Sequence, residues 1–125
     1  MPKSHVHAAH QAGGPLDDAI VDTIASTMQA LTTQSRVRLL YALLDGERAV
    51  GELADLAGLS PAATSQQLRV LRHLGLVSAR RAGQSVRYRL YDEHLATLLR
   101  EIVNHAEHAF RGWEAPAADG KKTAR

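Results

Sequence analysis

The hydrophobic period of this chain first changes at Gly75. Before it, apolar residues recur at the three-or-four spacing of one helix face: Ile20, Ile24, Met28 and Leu31, then Val37, Leu39, Leu40 and Leu43, then Leu53, Ala54 and Leu56, then Leu68 and Leu71. After it, Val86, Tyr88 and Leu90 alternate with Arg87 and Arg89, the pattern of a half-buried strand with a basic outer face. The chain is therefore expected to be mainly α with one β-hairpin, because neither period can be satisfied by the other kind of element.

Local signals set the expected boundaries. A first helix is expected over about 17–31, and Ser35 is expected to cap a second that ends at the Asp45-Gly46 turn. A third covers about 50–57 and stops at Gly58. Ser60-Pro61 opens a fourth, with serine at the cap and proline in the first helical position, and it runs to about Leu74. Leu76 to Arg81 is the expected partner strand, joined to the second strand by Ala82-Gly83-Gln84-Ser85. A last helix covers about 92–110. Residues 1–15 read as a flexible, histidine-containing arm, 16–110 as one folded domain and 111–125 as a flexible tail.

Charge is unevenly distributed. Net charge is only +2, yet no acidic residue lies between Asp55 and Asp92, and that interval carries Arg69, Arg72, Arg80, Arg81, Arg87 and Arg89. A localised basic block of this kind is the footprint of a polyanion binder. On the fourth helix Leu68 and Leu71 face the core, leaving Thr64, Ser65, Gln66, Gln67 and Arg69 to meet DNA. Glutamine and arginine pair with base edges, and hydroxyls suit bases or phosphates. Arg80, Arg81, Gln84, Arg87 and Arg89 of the hairpin are placed to grip the backbone. Two helices joined by a glycine turn and followed by a basic hairpin make a winged helix-turn-helix.

Four residues near the end raise a separate chemistry. Asp92, His94, His105 and His108 lie on one predicted helix. His105 follows His94 by eleven positions, which leaves them on one face but about 16 Å apart, too far for one ion to join within a chain. A second, antiparallel copy of the helix would bring its His105 and His108 opposite Asp92 and His94. Leu95, Leu98, Leu99, Ile102, Ala106 and Ala109 would form the apolar seam. Twofold symmetry then gives two equivalent sites. The bland account of each residue is capping for Asp92 and solvent exposure for the histidines.

Other classes are poorly supported. There is no cysteine, hence no disulfide, thiolate site or thiol switch. No run approaches the length of a membrane span and the first residues lack a signal-peptide core, so a cytoplasmic protein without membrane partners is expected. No His-Glu-x-x-His, nucleophile motif or glycine-rich phosphate loop is present, so no enzyme is expected.

The stretch GELADLAGLSPAATSQQLRVLRHLGLVSARRAGQSVRYRLYDEH resembles the ArsR/SmtB family of metal-responsive repressors, and the resemblance covers roughly residues 20–110. It implies a homodimeric winged helix that binds an imperfect palindrome in operator DNA and leaves it on binding metal, controlling efflux or homeostasis genes. The spacing D-x-H-x(10)-H-x-x-H is that of members with a metal site on the C-terminal helix, which sense zinc or nickel and cobalt. Zn(II) is the first expectation, with Ni(II) or Co(II) as alternatives. His5, His7 and His10 are candidates to raise the coordination number. Family members often carry Ser-His where this chain has Ser65-Gln66, which puts in question which bases are read. The competing account is a metal-independent winged-helix regulator with incidental histidines.

Overall fold

The computed structural model of the chain describes residues 14–112. The expected arm and tail therefore fall almost wholly outside the described residues. Among these residues five helices and three strands follow in order: α1 Asp18–Ala30, α2 Gln34–Ala42, β1 Arg48–Ala49, α3 Val50–Ala57, α4 Pro61–His73, β2 Val77–Ala82, β3 Ser85–Leu90 and α5 Glu93–Gly112. The architecture is the expected one, helices carrying a β-hairpin. The hairpin gains a third strand, so the sheet has the order β1-β3-β2.

Caps explain most helix starts. Asp17 accepts from Ile20 N at 3.1 Å and Ser60 Oγ from Ala63 N at 3.1 Å, each satisfying a donor that the first helical turn leaves unpaired. For α2 the cap is Thr33, whose Oγ1 accepts from Arg36 N at 3.4 Å, and not the expected Ser35. Thr33 is extended and so can turn its hydroxyl onto the helix end, whereas Ser35 already lies inside it. At α3 the residue before the helix is alanine, and Glu52 Oε1 accepts from Ala49 N at 2.9 Å instead. Asp92 caps α5 by accepting from Leu95 N at 2.9 Å.

Two of the positive-φ glycines shape the end of α4 and the hairpin. Gly75 has φ +77° and ends α4, letting Leu76 N turn back to Leu71 O at 2.9 Å. This consumes Leu76 in the turn, so β2 begins one residue later than expected. Gly83, at φ +64°, opens the two-residue turn that pairs Ala82 with Ser85.

Leu39, Leu40, Leu53, Leu68, Leu71 and Leu99 are fully buried in one cluster, joined by Leu43, Leu76, Val77 and Leu95. Tyr88 and Leu90 pack against it from the hairpin. Tyr41 donates from its hydroxyl to Leu99 O at 2.7 Å, tying α5 to α2, and burial pushes that phenol up from its ordinary range. The terminal helices are incompletely covered. In α1 only Ala30 is buried, and Val21, Ile24 and Met28 stay exposed on one face. In α5 the seam read from the sequence divides: Leu95 and Leu99 enter this chain's own core, where Ala96 joins them, while Leu98 and Ala106 remain exposed, as does Phe110 beyond the seam.

Leu56 is 54% exposed although Leu53, three residues earlier on the same helix, is fully buried. Leu53→Ala should therefore lower unfolding free energy by about 2–5 kcal/mol in a denaturant titration at fixed protein concentration, and Leu56→Ala by less than about 1 kcal/mol. Equal losses would show that α3 presents a different face to the core.

Candidate nucleic-acid interface and metal-ligand helix

Helix α4 places its residues on two sides. Leu68 and Leu71 hold it to the core, and Gln66, Arg69 and His73 are exposed away from them, with Arg72 exposed at the margin and Ser65 half-buried at the edge. Thr64 differs from expectation. It is fully buried, and its hydroxyl donates to Ser60 O at 2.9 Å, so it stabilises the first turn and is not on the outer face. Its spacing from Leu68 and Leu71, four and seven residues, already put it on their side.

Gln67 is half-buried beside α2, and its Oε1 accepts from Arg36 Nη1 at 3.3 Å. Arginine has donors only, so the oxygen of the amide must face it and the NH2 is left pointing away. Arg36 also donates to Ala30 O at 2.9 Å and Gln29 O at 3.3 Å, filling carbonyls at the end of α1. One guanidinium thus joins α1, α2 and α4. No local pattern signals this role for Arg36, because its partners lie 6, 7 and 31 positions away.

In the hairpin, the register sets Arg80 opposite Arg87 and Ser78 opposite Arg89, so Arg80, Arg87 and Arg89 share a face. Arg81, paired with Val86, lies on the other face and is exposed. Gln84 is exposed in the turn. The block that is free of acid in sequence is not free of acid in space. Strand β1 pairs with β3 at Arg48↔Tyr88 and Ala49↔Arg87, and brings Glu47 and Glu52 alongside. Both Glu47 carboxylate oxygens accept from Arg80, the shortest contacts being 2.8 Å. The hydrogen-bonded Arg80 guanidinium, helped by the charges of Arg87 and Arg89, holds the Glu47 carboxyl below the usual carboxylate range.

On α5, Asp92 and His94 lie together, with His94 Nδ1 3.8 Å from Asp92 Oδ2. Asp92 uses its other oxygen in the cap, so one carboxylate oxygen remains for another partner. His105 and His108 are exposed further along the same helix. Among the described residues no three of histidine, aspartate and glutamate converge on a point within one chain. The structure thus brings Asp92 to His94 and leaves His105 and His108 apart from them. His5, His7 and His10 lie outside the described residues.

The sequence pattern of the family described as bacterial regulatory protein, arsR family, matches residues 33–79, which span α2, β1, α3, α4 and the start of β2. The HTH-type transcriptional regulator NmtR of Mycobacterium tuberculosis is 46% identical over 107 residues, covering 86% of this chain and 89% of that protein. A transcriptional repressor SmtB homolog of Synechocystis is 41% identical over 86 residues, covering 69% of this chain and 65% of that protein. Among solved structures, the homodimeric winged helix-turn-helix DNA-binding domain of a Mycobacterium bovis protein superposes with a TM-score of 0.70 at 33% identity, covering 80% of this chain and 94% of that one. The solution structure of apo-NmtR superposes at 0.66 with 45% identity, covering 87% and 93%. These relatives are transcription regulators and not enzymes. Both the identity shared along most of the chain and the helix-turn-helix with its wing place it in one family: the chain belongs to the bacterial arsR family of regulatory proteins, as a winged helix-turn-helix DNA-binding transcriptional regulator.

Proposed function

We propose that the chain is a homodimeric, metal-responsive repressor that acts in the cytoplasm, holds an imperfectly palindromic operator when metal-free, and leaves it when a divalent transition metal binds. The observation that carries this reading is the half-site on α5. Asp92 and His94 sit together at the helix start, and His105 and His108 are exposed three turns on. A second copy of the helix is what a complete donor set needs.

Uncovered apolar surface supports the pairing. Leu98 and Phe110 of α5 are exposed, Ile102 and Ala109 are half-buried, and Val21, Ile24 and Met28 of α1 are exposed together with Leu16 before it. Exposed apolar residues repeated along two helices mark an interaction surface. The seam between copies is then Leu98, Ile102, Ala106 and Ala109, without Leu95 and Leu99.

One carboxylate and three imidazoles, with no cysteine in the chain, fit Zn(II), and with added ligands Ni(II) or Co(II). Asp92 and His94 of one chain would hold the ion with the partner's His105 and His108. When bound, the ion supplies ligand bonds that fix one chain to the other. His5, His7 and His10 are the residues that would raise the coordination number and favour Ni(II) or Co(II). Asp92 keeps α5 capped through Oδ1 while Oδ2 is offered for ligation. Tyr41 holds α5 to α2 through the Leu99 carbonyl, so a shift of paired α5 helices is felt by the DNA-reading body. The ion and the operator then favour different dimer geometries, a coupling that is reciprocal and of about 1–3 kcal/mol in typical cases.

On DNA, Ser65, Gln66, Gln67 and Arg69 of α4 are the proposed groove contacts, and Arg81, Gln84 and Arg89 the proposed wing contacts. Gln66 is exposed and unpaired among the described residues, so it can offer both ends of its amide to adenine. Gln67 offers only its NH2 and thus suits acceptor atoms.

His105→Ala should leave operator affinity intact and abolish Zn(II)-induced release in a gel shift. The effect expected for the unaltered protein is about 5–150-fold in affinity, as such couplings run. Normal release by the variant would defeat the ligand assignment. Equilibrium dialysis in which the unaltered protein binds no Zn(II), Co(II) or Ni(II) tightly would establish the metal-independent regulator instead. The Co(II) complex should show intense d–d absorption if the site is four-coordinate, and weak bands that strengthen on deletion of residues 1–12 if the N-terminal histidines ligate.

A further inference from the structure

Strands β2 and β3 set two guanidinium groups, Arg80 and Arg87, directly opposite each other on one face of the wing. Like charges directly opposite across a ladder repel. Something must offset this, and the fold supplies it from the turn before β1. Glu47 accepts from Arg80 Nε at 3.1 and 2.8 Å and from Arg80 Nη2 at 2.8 Å, a two-oxygen, fork-on-fork pairing. Arg87 donates from Nη2 to the Glu47 backbone O at 3.2 Å and lies 3.8 Å from Glu52 Oε1. Glu52 in turn is fixed by its bond from Ala49 N. Arg80 and Arg87 are therefore committed, through Glu47 and Glu52, to fastening the wing to β1 and α3.

The two other wing arginines are differently placed. Arg89 is exposed, and its Nε has only a neutral partner, Ser78 Oγ, at 3.2 Å. Arg81 is exposed and has no ion pair among the described residues. We propose that Glu47 divides the wing arginines into two classes: Arg80 and Arg87 position the wing and carry no DNA phosphate, whereas Arg81 and Arg89 carry the phosphate contacts. The carboxylate of Glu47 occupies on Arg80 the two-point position that a phosphate would need. The proposal concerns the DNA contacts alone and does not depend on metal binding.

The test uses the full chain and a mixed-sequence DNA duplex, since phosphate contacts do not require the operator. Affinity is measured against salt concentration, and each lost phosphate contact makes the log–log slope shallower by about 0.9. Arg81→Ala and Arg89→Ala should each give that change with an unaltered thermal midpoint. Arg80→Gln and Arg87→Gln should keep the wild-type slope while lowering the thermal midpoint. A slope for Arg80→Gln as shallow as that for Arg89→Ala overturns the proposal. Glu47→Gln guards against a misfolded arginine variant: it frees Arg80 of its counter-charge, so the slope should steepen, with helix content by circular dichroism unchanged. An unchanged or shallower slope for Glu47→Gln also overturns it.

Discussion

Among the described residues one leucine-rich core holds the helices and the hairpin together, and it is too small to cover α1 and α5. Leu39, Leu40, Leu53, Leu68, Leu71 and Leu99 fill it completely. What they leave over is the outer face of α1 and one face of α5, where Val21, Ile24, Met28, Leu98 and Phe110 meet solvent. Small domains bury a smaller fraction of their surface than large ones, and an uncovered apolar face is commonly completed by another chain. The proposed second copy and the proposed shared metal site both follow from this shortfall.

The same core fixes which side chains of α4 are left for the proposed DNA contacts. Because Leu68 and Leu71 are pinned and Thr64 is drawn in beside them, the residues left facing outward on α4 are Gln66, Arg69, Arg72 and His73. Arg36 then adds a constraint of its own, by holding the oxygen of the Gln67 amide. Positioning of the reading helix is thus shared between apolar burial and one guanidinium that also closes the end of α1. A polar contact of this kind adds direction to what the leucines supply as adhesion.

Electrostatics in the wing is local in space and not in sequence. Counting charges along residues 56–91 finds arginines and no acid. The two-residue strand β1 reverses that picture, since pairing with β3 carries Glu47 and Glu52 to Arg80 and Arg87. A strand of two residues has no period to detect, and its ladder partner lies about forty positions later, so neither the strand nor the ion pairs could be anticipated.

The sequence by itself determined the kind of element at each place, because helix and strand periods, the Ser60-Pro61 start and the Gly75 and Gly83 turns are local properties of the chain. The helix-turn-helix with its hairpin, and the family, were legible for that reason. Which of several outward candidates is truly outward was decided by packing: Thr64, Leu95 and Leu99 went into the core, and Leu56, grouped with Leu53 by the apolar pattern of its helix, stayed outside. Asp92 and His94 were bound to be near each other because they lie two positions apart, whereas His105 lies three turns away along a rigid rod. Cap choice at Thr33, the Arg36 clamp and the Glu47 pairing depended on backbone geometry and on contacts between distant segments, which only the tertiary structure can set.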